Sequence, residues 1–416
     1  MNRNSAIINN IPKMLAGEEL KAALANIPYY DENIRFENDA ARLVELNELY
    51  NIYLPSTMSL EIYSKLYLAM LRSLQKKESK LAIQQKNENF KAIQGGIYNG
   101  IIGGSDSFTI IGASGIGKSS AIDRAIALIT QNQLIEVENP YSKIIPCLIT
   151  QCPFDSSVKG LLLEILRKVD EWLGSSYYEN ALRARATTDM LIGSVSQVSL
   201  NHIGLLVVDE IQNICNNRNG GSLVAVLTQL INNSGVSICM VGTPESSLFF
   251  EQAMQLARRA LGLKYGSIPN DKYFREFCET VYKFQCVKQK TKLTDAIVEW
   301  LFEHSGGIVS VVVTLVHDAQ EVAILSGKEI LNKESLDMAY RKRLNMLHNY
   351  IRPSIVTNSQ TTSRKNKKIP LKSCEIGVPK QTGEYNIVKL DKMAKKDKVD
   401  LLKLLKERFS VTEVSI

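Results

Sequence analysis

The stretch GASGIGKSS at residues 112–120 limits the possible fold of this chain more than any other feature. Gly112 is followed by four residues and then by Gly117, Lys118 and Ser119, which is the spacing of a phosphate-binding loop. Glycines allow successive backbone N–H groups to face one anion, and a following helix points the positive end of its dipole at the same anion. The β-rich residues SFTII precede the loop and helix-forming residues follow it. The stretch therefore predicts a strand, a phosphate-binding loop and a helix of an α/β sheet.

Each residue type in this loop has an expected role in holding a nucleotide. Lys118 is expected to reach the β and γ phosphates, and Ser119 to ligate Mg²⁺. The expected nucleotide-binding residues are Gly112, Ala113, Ser114, Gly115, Ile116, Gly117, Lys118, Ser119 and Ser120. An accidental glycine-rich turn is the alternative, which the flanking strand and helix disfavour. The expected cofactors are ATP and Mg²⁺.

A second motif, LLVVDE at residues 205–210, supplies the acidic groups that nucleotide hydrolysis needs. Its four apolar residues predict a strand that is buried on both faces. Asp209 is expected to hold the magnesium through water, and Glu210 to polarise the water that attacks the γ phosphate. The alternative is that the two acids only cap a buried strand. The pair favours an ATPase, and the sequence has no Asn-Lys-x-Asp motif of the kind that reads guanine.

Composition excludes several other classes of protein. With 416 residues, of which 45% are hydrophobic, the chain can bury the cores of two or three compact units. The N-terminal residues have no sustained apolar run, so we expect a cytoplasmic protein with no membrane partner. Seven cysteines without a C-x-x-C pair and four histidines without a ligand cluster predict neither disulfides nor a zinc site.

The positive charge of the chain is concentrated near its C-terminus. The formal net charge is +7, and the residues from Thr357 onward carry 14 Lys and Arg against 7 Asp and Glu. This tail is expected to contact phosphate backbones, and a solvated linker is the alternative. Leucines at helical spacing near residues 401–405 predict a short helix in the tail.

Alternating strands and helices predict an α/β fold with a parallel, five-stranded sheet. The predicted strands are 107–112, 144–151, 203–209, 236–242 and 277–287. The predicted helices are 38–50, 58–81, 118–131, 157–173, 179–197, 221–233, 294–304, 309–325 and 333–347. The pattern divides the chain into a helical N-terminal extension (1–95), a P-loop ATPase core (96–290), a helical lid (291–350) and the basic tail (351–416).

Six stretches, taken in order, resemble one family. They are GASGIGKSS, LLVVDEIQN, VGTPES, QLARRALG, ETVYKFQ and LTDAIVEWLFEHSGGIVSVVVTLVHDAQEVAI. Together they are similar to the TnsC/TniB ATP-dependent regulators of DNA transposition, within the AAA+ superfamily, over roughly residues 30 to 345. The first two stretches occur in many ATPases, whereas the ordered set is more particular.

The resemblance implies further catalytic residues. In AAA+ ATPases a polar residue at the end of the fourth strand senses the γ phosphate or the attacking water, and Thr243 has that position here; a simple turn residue is the alternative. ATP held at a subunit boundary takes a positive group from the neighbouring subunit, for which arginine is the usual choice. Arg258 and Arg259 are the candidates, with Arg275 behind them, and an exposed basic turn is the alternative for each.

The resemblance also implies partners. A bacterial TnsC/TniB-like subunit assembles, when ATP is bound, into a ring or helical filament of six or seven subunits per turn on double-stranded target DNA. There it links a target-selector protein to the transposase subunits, and hydrolysis takes the assembly apart. Contact with DNA is expected at phosphates and independent of base sequence. By analogy with the family, the first candidates for this contact are Ser156, Ser157 and Lys159.

The chain departs from the AAA+ pattern at the start of the second lid helix. Many AAA+ lids have an arginine there that touches the γ phosphate, but this sequence reads Gly307-Ile308-Val309-Ser310. Lid closure must therefore be coupled to the nucleotide in another way. Two other functions stay open: a DNA-coating scaffold with negligible hydrolysis, and a loader of replication initiators or helicases. Glu210 disfavours the first, and the ETVYKFQ and lid stretches disfavour the second.

Overall fold

A six-stranded sheet forms the centre of the protein. The structure, a computed structural model, describes residues 6–93, 107–138, 141–216, 220–246 and 262–344. The strands are β1 (Phe108–Gly112), β2 (Ile135–Glu138), β3 (Tyr141–Gln151), β4 (Ile203–Asp209), β5 (Ser237–Gly242) and β6 (Leu263–Tyr265). Their order is β2-β3-β4-β5-β1-β6, and all neighbours are parallel except β2 and β3. The predicted α/β fold class is confirmed, and strand β5 separates the phosphate-loop strand β1 from the acidic strand β4.

Helices and short turns surround the sheet. The α-helices are α1 (Ala6–Asn9), α2 (Gly17–Leu24), α3 (Asp39–Glu45), α4 (Thr57–Lys77), α5 (Lys80–Ile93), α6 (Lys118–Thr130), α7 (Val158–Leu173), α8 (Tyr177–Arg183), α9 (Thr188–His202), α10 (Gly220–Ser234), α11 (Lys272–Lys283), α12 (Asp295–Ser305), α13 (Val309–Leu325) and α14 (Lys333–Ala339). The 3₁₀ turns are Glu32–Phe36, Leu46–Asn51 and Ile211–Asn216, and a π-helical turn spans Tyr340–Leu344. These elements all lie in the first of two compact units, Met1–Val356; the second, Thr357–Ile416, lies outside the described residues.

The predicted fifth strand at 277–287 is wrong, because most of that stretch belongs to helix α11. Asp271 caps this helix by accepting a hydrogen bond from the Phe274 N–H at 3.0 Å. The buried residues of the helix follow the 3.6-residue period, which outweighs the β propensity of its valine and tyrosine. They are Phe274, Phe277, Cys278, Val281 and Tyr282. The fifth parallel strand is instead β6, which pairs with β1.

Two other predicted boundaries also differ from the structure. The sheet has six strands rather than five, because the short stretch β2 pairs with β3 as an antiparallel edge strand. The helix predicted at 179–197 is two helices, α8 and α9. Arg185 between them has a positive φ of 48°, and Thr187 caps α9 through the Met190 N–H at 3.4 Å. A cap inside an apolar stretch begins a new helix.

The two faces of the sheet bury separate apolar clusters. Side chains of β4 alternate between them: Leu206 and Val208 pack with α7, α9 and α10, whereas Leu205 and Val207 pack with α4 and α6. This two-sided burial is the reason that LLVV is uniformly apolar. The N-terminal helix α4 therefore contributes to the core on one face of the sheet.

A third cluster lies among helices α11 to α14. It also includes Leu46, Leu49 and Ile52 from the N-terminal region. We call this cluster the lid core. Because Phe274 and Phe277 contribute to it, the lid core takes in residues N-terminal to the predicted lid boundary at 291.

A buried arginine fastens the N-terminal region to the lid core. The Arg42 side chain is 0% exposed, and its guanidinium donates to both carboxylate oxygens of Glu329, at 2.6 and 2.7 Å. It also donates to Asp39 Oδ1 at 2.6 Å and to the Cys286 carbonyl at 3.1 Å. The hydrogen bonds from Arg42 are the main cause that holds the pKa of Glu329 below its usual value. A two-pronged pair of this kind fixes orientation as well as charge.

Within the described ranges, no single helix is long and apolar enough to cross a membrane. Helices α12 and α13 reach the required length and composition together, but the pair is bent by 118°. Apolar side chains of both helices, among them Leu301 and Val316, belong to the lid core.

Candidate functional site

The phosphate-loop sequence forms a tight turn between β1 and α6. Gly115 and Gly117 have φ values of +80° and +94°, a left-handed backbone that glycine adopts without strain. Gly112 is restricted by space instead: a Cβ there would lie 2.6 Å from the Ile116 Cδ1 atom and 2.9 Å from the Tyr265 carbonyl oxygen. Glycine is therefore required at these three positions, and the loop geometry follows from the sequence.

Lys118 is buried within its own loop. Its Nζ donates to the carbonyl oxygens of Gly112, at 2.7 Å, and of Ala113, at 2.8 Å. Burial lowers the pKa of the Lys118 ammonium, although the nearby carboxylates of Asp209 and Glu210 act in the opposite direction. Two neutral carbonyls do not balance the buried positive charge, so an anion in the loop would gain from its presence.

The acidic pair stands at the carboxyl end of β4. The Glu210 N–H donates to Asp209 Oδ1 at 2.7 Å, and Glu210 has a positive φ of 56°. A left-handed backbone at a non-glycine residue is uncommon and costs free energy, which is typical of positions where side-chain direction matters. The Glu210 carboxylate accepts a hydrogen bond from the Gln212 side-chain amide.

Thr243 follows the neighbouring strand β5. Its N–H donates to the Gln212 side-chain oxygen at 3.3 Å. Because β5 lies between β1 and β4, the carboxyl ends of these three strands bring Lys118, Glu210 and Thr243 to one side of the sheet. All three line one cavity of about 380 Å³.

This cavity extends from the phosphate loop to the N-terminal region and the lid core. Its lining includes the polar side chains Ser119, Asp209 and Glu210 together with aromatic and aliphatic side chains. The latter include Tyr50, Ile52, Tyr53, Leu54, Tyr273, Phe277, Val309 and Val313. A mixed lining of charged and apolar side chains is a feature expected of a site for a nucleotide, with its phosphates and its base.

Helix α13 touches the phosphate loop at the place where many AAA+ lids have an arginine. The Ser310 N–H donates to the Gly115 carbonyl at 3.2 Å, and a Cβ on Gly115 would lie 2.4 Å from Ser310 Oγ. The lid therefore contacts the loop through backbone atoms and a small hydroxyl. The sequence at residues 307–310, which lacks the arginine, did not predict this contact.

The remaining predicted site residues have different environments. Ser156 is buried and donates its hydroxyl to the Asn213 carbonyl at 2.9 Å, and Ser157 caps α7 through the Gly160 N–H at 3.1 Å. Lys159 is exposed. Arg275 lies on α11 and pairs within its own chain with Asp295 and Glu279. Arg258 and Arg259 lie outside the described residues.

Two groups in the cavity were given no role by the sequence. Gln212 stands in the motif LLVVDEIQN, but only the turn that follows β4 brings its amide back between Glu210 and Thr243. Tyr53 belongs to a short bridge, since its backbone pairs with that of Asn26 at 2.9 and 2.7 Å. Local pattern cannot place either residue, because the contacts depend on how separate elements pack.

Comparison with known proteins gives one family and several distant structures. Residues 103–263 match the model of the family described as bacterial TniB protein. No curated protein matches the chain. Solved structures that are similar to part of this chain include Aeropyrum pernix ORC1 in complex with DNA, with 12% identity, coverage of 62% of this chain and 63% of that chain, and a TM-score of 0.42. The Pyrobaculum aerophilum Cdc6p structure has 11% identity, 63% and 67% coverage and a TM-score of 0.43. Drosophila ORC bound to DNA has 13% identity, 79% and 69% coverage and a TM-score of 0.43.

The match to the family model begins just before β1 and ends at the start of β6, so it contains the phosphate loop, the acidic pair and Thr243. This chain spans 63% of the length of the Aeropyrum protein. The resemblance that the motifs predicted is confirmed over residues 103–263, which match the TniB family model.

Proposed function

We propose that this protein is an ATP-dependent AAA+ ATPase that assembles on double-stranded target DNA and regulates transposition by linking a target selector to the transposase. The observation that carries the ATPase part is the convergence of Lys118, Asp209, Glu210 and Thr243 on one cavity. The family match supports the transposition part.

The chemistry assigned to this cavity is attack of water on the γ phosphate of ATP. The buried Lys118 ammonium would hold the β and γ phosphates, and it would replace its two carbonyl contacts by stronger contacts to charged oxygens. Glu210 would accept a proton from the attacking water, and the Thr243 hydroxyl would hydrogen-bond the γ phosphate or that water. The aromatic residues that line the cavity would cover the base.

The polar residues that line the cavity are of the types that bind Mg²⁺. Ser119 contributes a hydroxyl and Asp209 a carboxylate to the same cavity, and oxygen atoms are the ligands that this ion prefers. When bound, the ion would neutralise the charge that develops on the phosphates. Ser119 would contact it directly, and Asp209 would hold it through water.

Assembly on DNA is the second half of the proposal. An arginine from the neighbouring subunit, Arg258 or Arg259, would complete the site at the subunit boundary, so that nucleotide and assembly depend on one another. Arg275 is the weaker candidate, because two carboxylates of its own chain already hold it. Of the proposed DNA contacts, Lys159 is exposed, whereas the Ser156 hydroxyl is engaged with Asn213.

Electron microscopy of the protein with duplex DNA tests this function. The samples contain a non-hydrolysable ATP analogue, ADP or no nucleotide, and the Lys118→Ala variant serves as control. We expect rings or filaments on DNA only in the sample that contains the ATP analogue, and no such assemblies for Lys118→Ala in any sample. If assemblies form equally in all three nucleotide states, ATP does not control assembly. If the protein stays off DNA in every state, the proposal that the ATPase assembles on DNA is wrong.

A parallel measurement of phosphate release with ATP and DNA separates the ATPase from a DNA-coating scaffold. The proposal requires turnover that depends on Glu210. Assemblies without turnover would favour the scaffold.

A further inference from the structure

Gln212 connects two groups that the proposed reaction needs. It lies in the turn Ile211–Asn216 after β4, and its side-chain NH₂ donates to Glu210 Oε2 while its side-chain oxygen accepts the Thr243 N–H at 3.3 Å. The two ends of a side-chain amide are easily exchanged, but here the partners fix the choice. A carboxylate only accepts and a backbone N–H only donates, so one orientation satisfies both bonds.

The position of Gln212 is set by close packing against β5. A Cβ on Gly242 would lie 3.0 Å from the Gln212 side-chain oxygen and 2.6 Å from the Ile211 Cγ2 atom. Gly242 itself is buried. The absence of a side chain at residue 242 therefore allows the Gln212 amide to lie against the end of β5 and reach the Thr243 N–H.

The Glu210 carboxylate benefits from such a contact. Glu210 is exposed and a glutamate side chain has several rotamers, so holding it in one direction costs conformational entropy. The Gln212 amide binds one carboxylate oxygen and leaves the other for water. Because the amide is neutral, it orients the carboxylate without placing a charge beside it.

The turn that holds Gln212 is itself fastened on its other side. The Asn213 N–H donates to the Glu210 carbonyl at 3.0 Å, and the Asn213 side-chain amide donates to the Cys152 carbonyl at 3.0 Å. Ser156, in the loop after β3, donates its hydroxyl to the Asn213 carbonyl. Gln212 thus has a rigid base from which to act on Glu210.

We propose that Gln212 is a positioning residue that orients the Glu210 carboxylate and links its direction to Thr243. The inference rests on the proposed ATPase function. In this arrangement a shift of Thr243 toward a γ phosphate is passed through one amide to the group that activates water. Gln212 is assigned no direct part in the reaction and acts through Glu210 and Thr243.

The test compares Gln212→Ala and Gln212→Glu with the exposed Gln133→Ala as control. Both Gln212 variants should lower kcat by about ten-fold to a hundred-fold, a fraction of the effect of a general base, and leave the affinity for a fluorescent ATP analogue within about two-fold. Gln212→Glu should be at least as slow as Gln212→Ala, because it is nearly isosteric but places a like charge beside Glu210. A variant with unchanged or raised kcat overturns the proposal.

A second readout does not depend on turnover. Hydrogen exchange, followed by mass spectrometry, should become faster at the Thr243 amide in Gln212→Ala and stay unchanged in Gln133→Ala. Unchanged exchange at Thr243 overturns the link between the two strand ends. If the wild-type protein releases no phosphate, the proposed function fails, whereas the exchange rate at Thr243 still decides whether Gln212 forms the link.

Discussion

At the scale of single residues, Glu210 has an unfavourable backbone conformation and a side chain that is fixed by a hydrogen bond. Its φ of 56° is unfavourable for a non-glycine residue, and its carboxylate is bonded to Gln212. Replacement by glutamine keeps the size of the side chain and removes the group that accepts a proton. The expected effect is therefore on chemistry rather than on folding.

Glu210→Gln should bind ATP with nearly wild-type affinity and hydrolyse it at least about a hundred times more slowly, as expected on loss of a general base. Because hydrolysis is proposed to end assembly, the variant should also stay longer on DNA. Single-turnover phosphate release and dissociation from immobilised duplex measure the two effects. Normal turnover would remove Glu210 from its assigned role.

The sequence predicted the residues of the site better than their contacts. Gly112 and Lys118 could be singled out from the spacing of one strand, loop and helix, and Glu210 because it follows a uniformly apolar strand. The role of Gln212 could not, since its amide meets Thr243 only through the pairing of β4 with β5. The burial of Ser156 was also invisible, because its partner Asn213 is 57 residues away.

At the scale of elements, helix α13 contacts the phosphate loop directly, through a stretch that contains no arginine. Gly115 and Ser310 meet there, and the closeness of Ser310 and Ile308 leaves no room for a side chain on Gly115. The error in the strand predicted at 277–287 also arises at the scale of elements. A helix with five buried residues on one face was read as a strand, whereas the true strand β6 has only three residues.

Gly115→Ala should weaken the affinity for ATP by about ten-fold, because the new methyl group strains the backbone and displaces Ser310 from the loop. Gly174→Ala is the matched control: its φ is +66°, but nothing lies within 4 Å of a Cβ there. The control should lose about 1 kcal/mol of stability and keep its affinity for ATP. Titration with a fluorescent ATP analogue distinguishes the two, and equal affinities would contradict the proposed lid contact.

The pair of Arg42 and Glu329 joins the N-terminal region to the lid core, and its removal leaves a buried guanidinium without its main partner. Glu329→Gln should lower the free energy of unfolding by about 3 kcal/mol at pH 7. Glu32→Gln breaks an exposed pair, with Lys290, between the same regions and should change the stability much less, because solvent screens the two charges. Denaturation with urea measures both, and similar losses would contradict the special role of the buried pair.

The pH dependence follows from the lowered pKa of Glu329. A carboxyl group with a lower pKa in the folded state stabilises the protein above the pKa of the unfolded state, and this contribution is lost as the pH falls through the folded-state value. The difference between wild type and Glu329→Gln should therefore be constant from about pH 8 to pH 5 and shrink below the ordinary glutamate pKa of about 4.3. A difference that grows on acidification would contradict this origin.

At the scale of the whole molecule, the basic tail can be separated from the nucleotide site. The tail begins at the boundary between the two compact units, and the described site residues all lie before it. A chain that ends at Val356 loses an excess of seven positive charges. It should keep its ATP turnover, bind DNA more weakly and depend less steeply on salt, since fewer phosphates are neutralised.

Fluorescence anisotropy with a labelled duplex at several salt concentrations, together with phosphate release, tests this separation. Removal of the last ten residues is a milder control, because it takes away only one of the fourteen basic residues of the tail. A collapse of turnover in the chain that ends at Val356 would instead make the tail part of the folded unit.

Residues 52–56 have a consequence for the extent of lid movement. Ile52 belongs to the lid core, helix α4 packs in the core of the sheet, and the short connection between them lines the cavity. Even when fully extended, the five steps from Ile52 to Thr57 cover at most about 18 Å. This connection therefore limits the distance between the lid core and helix α4 on this side of the cavity. With that end tethered, the lid can turn away from the nucleotide but cannot travel far from it.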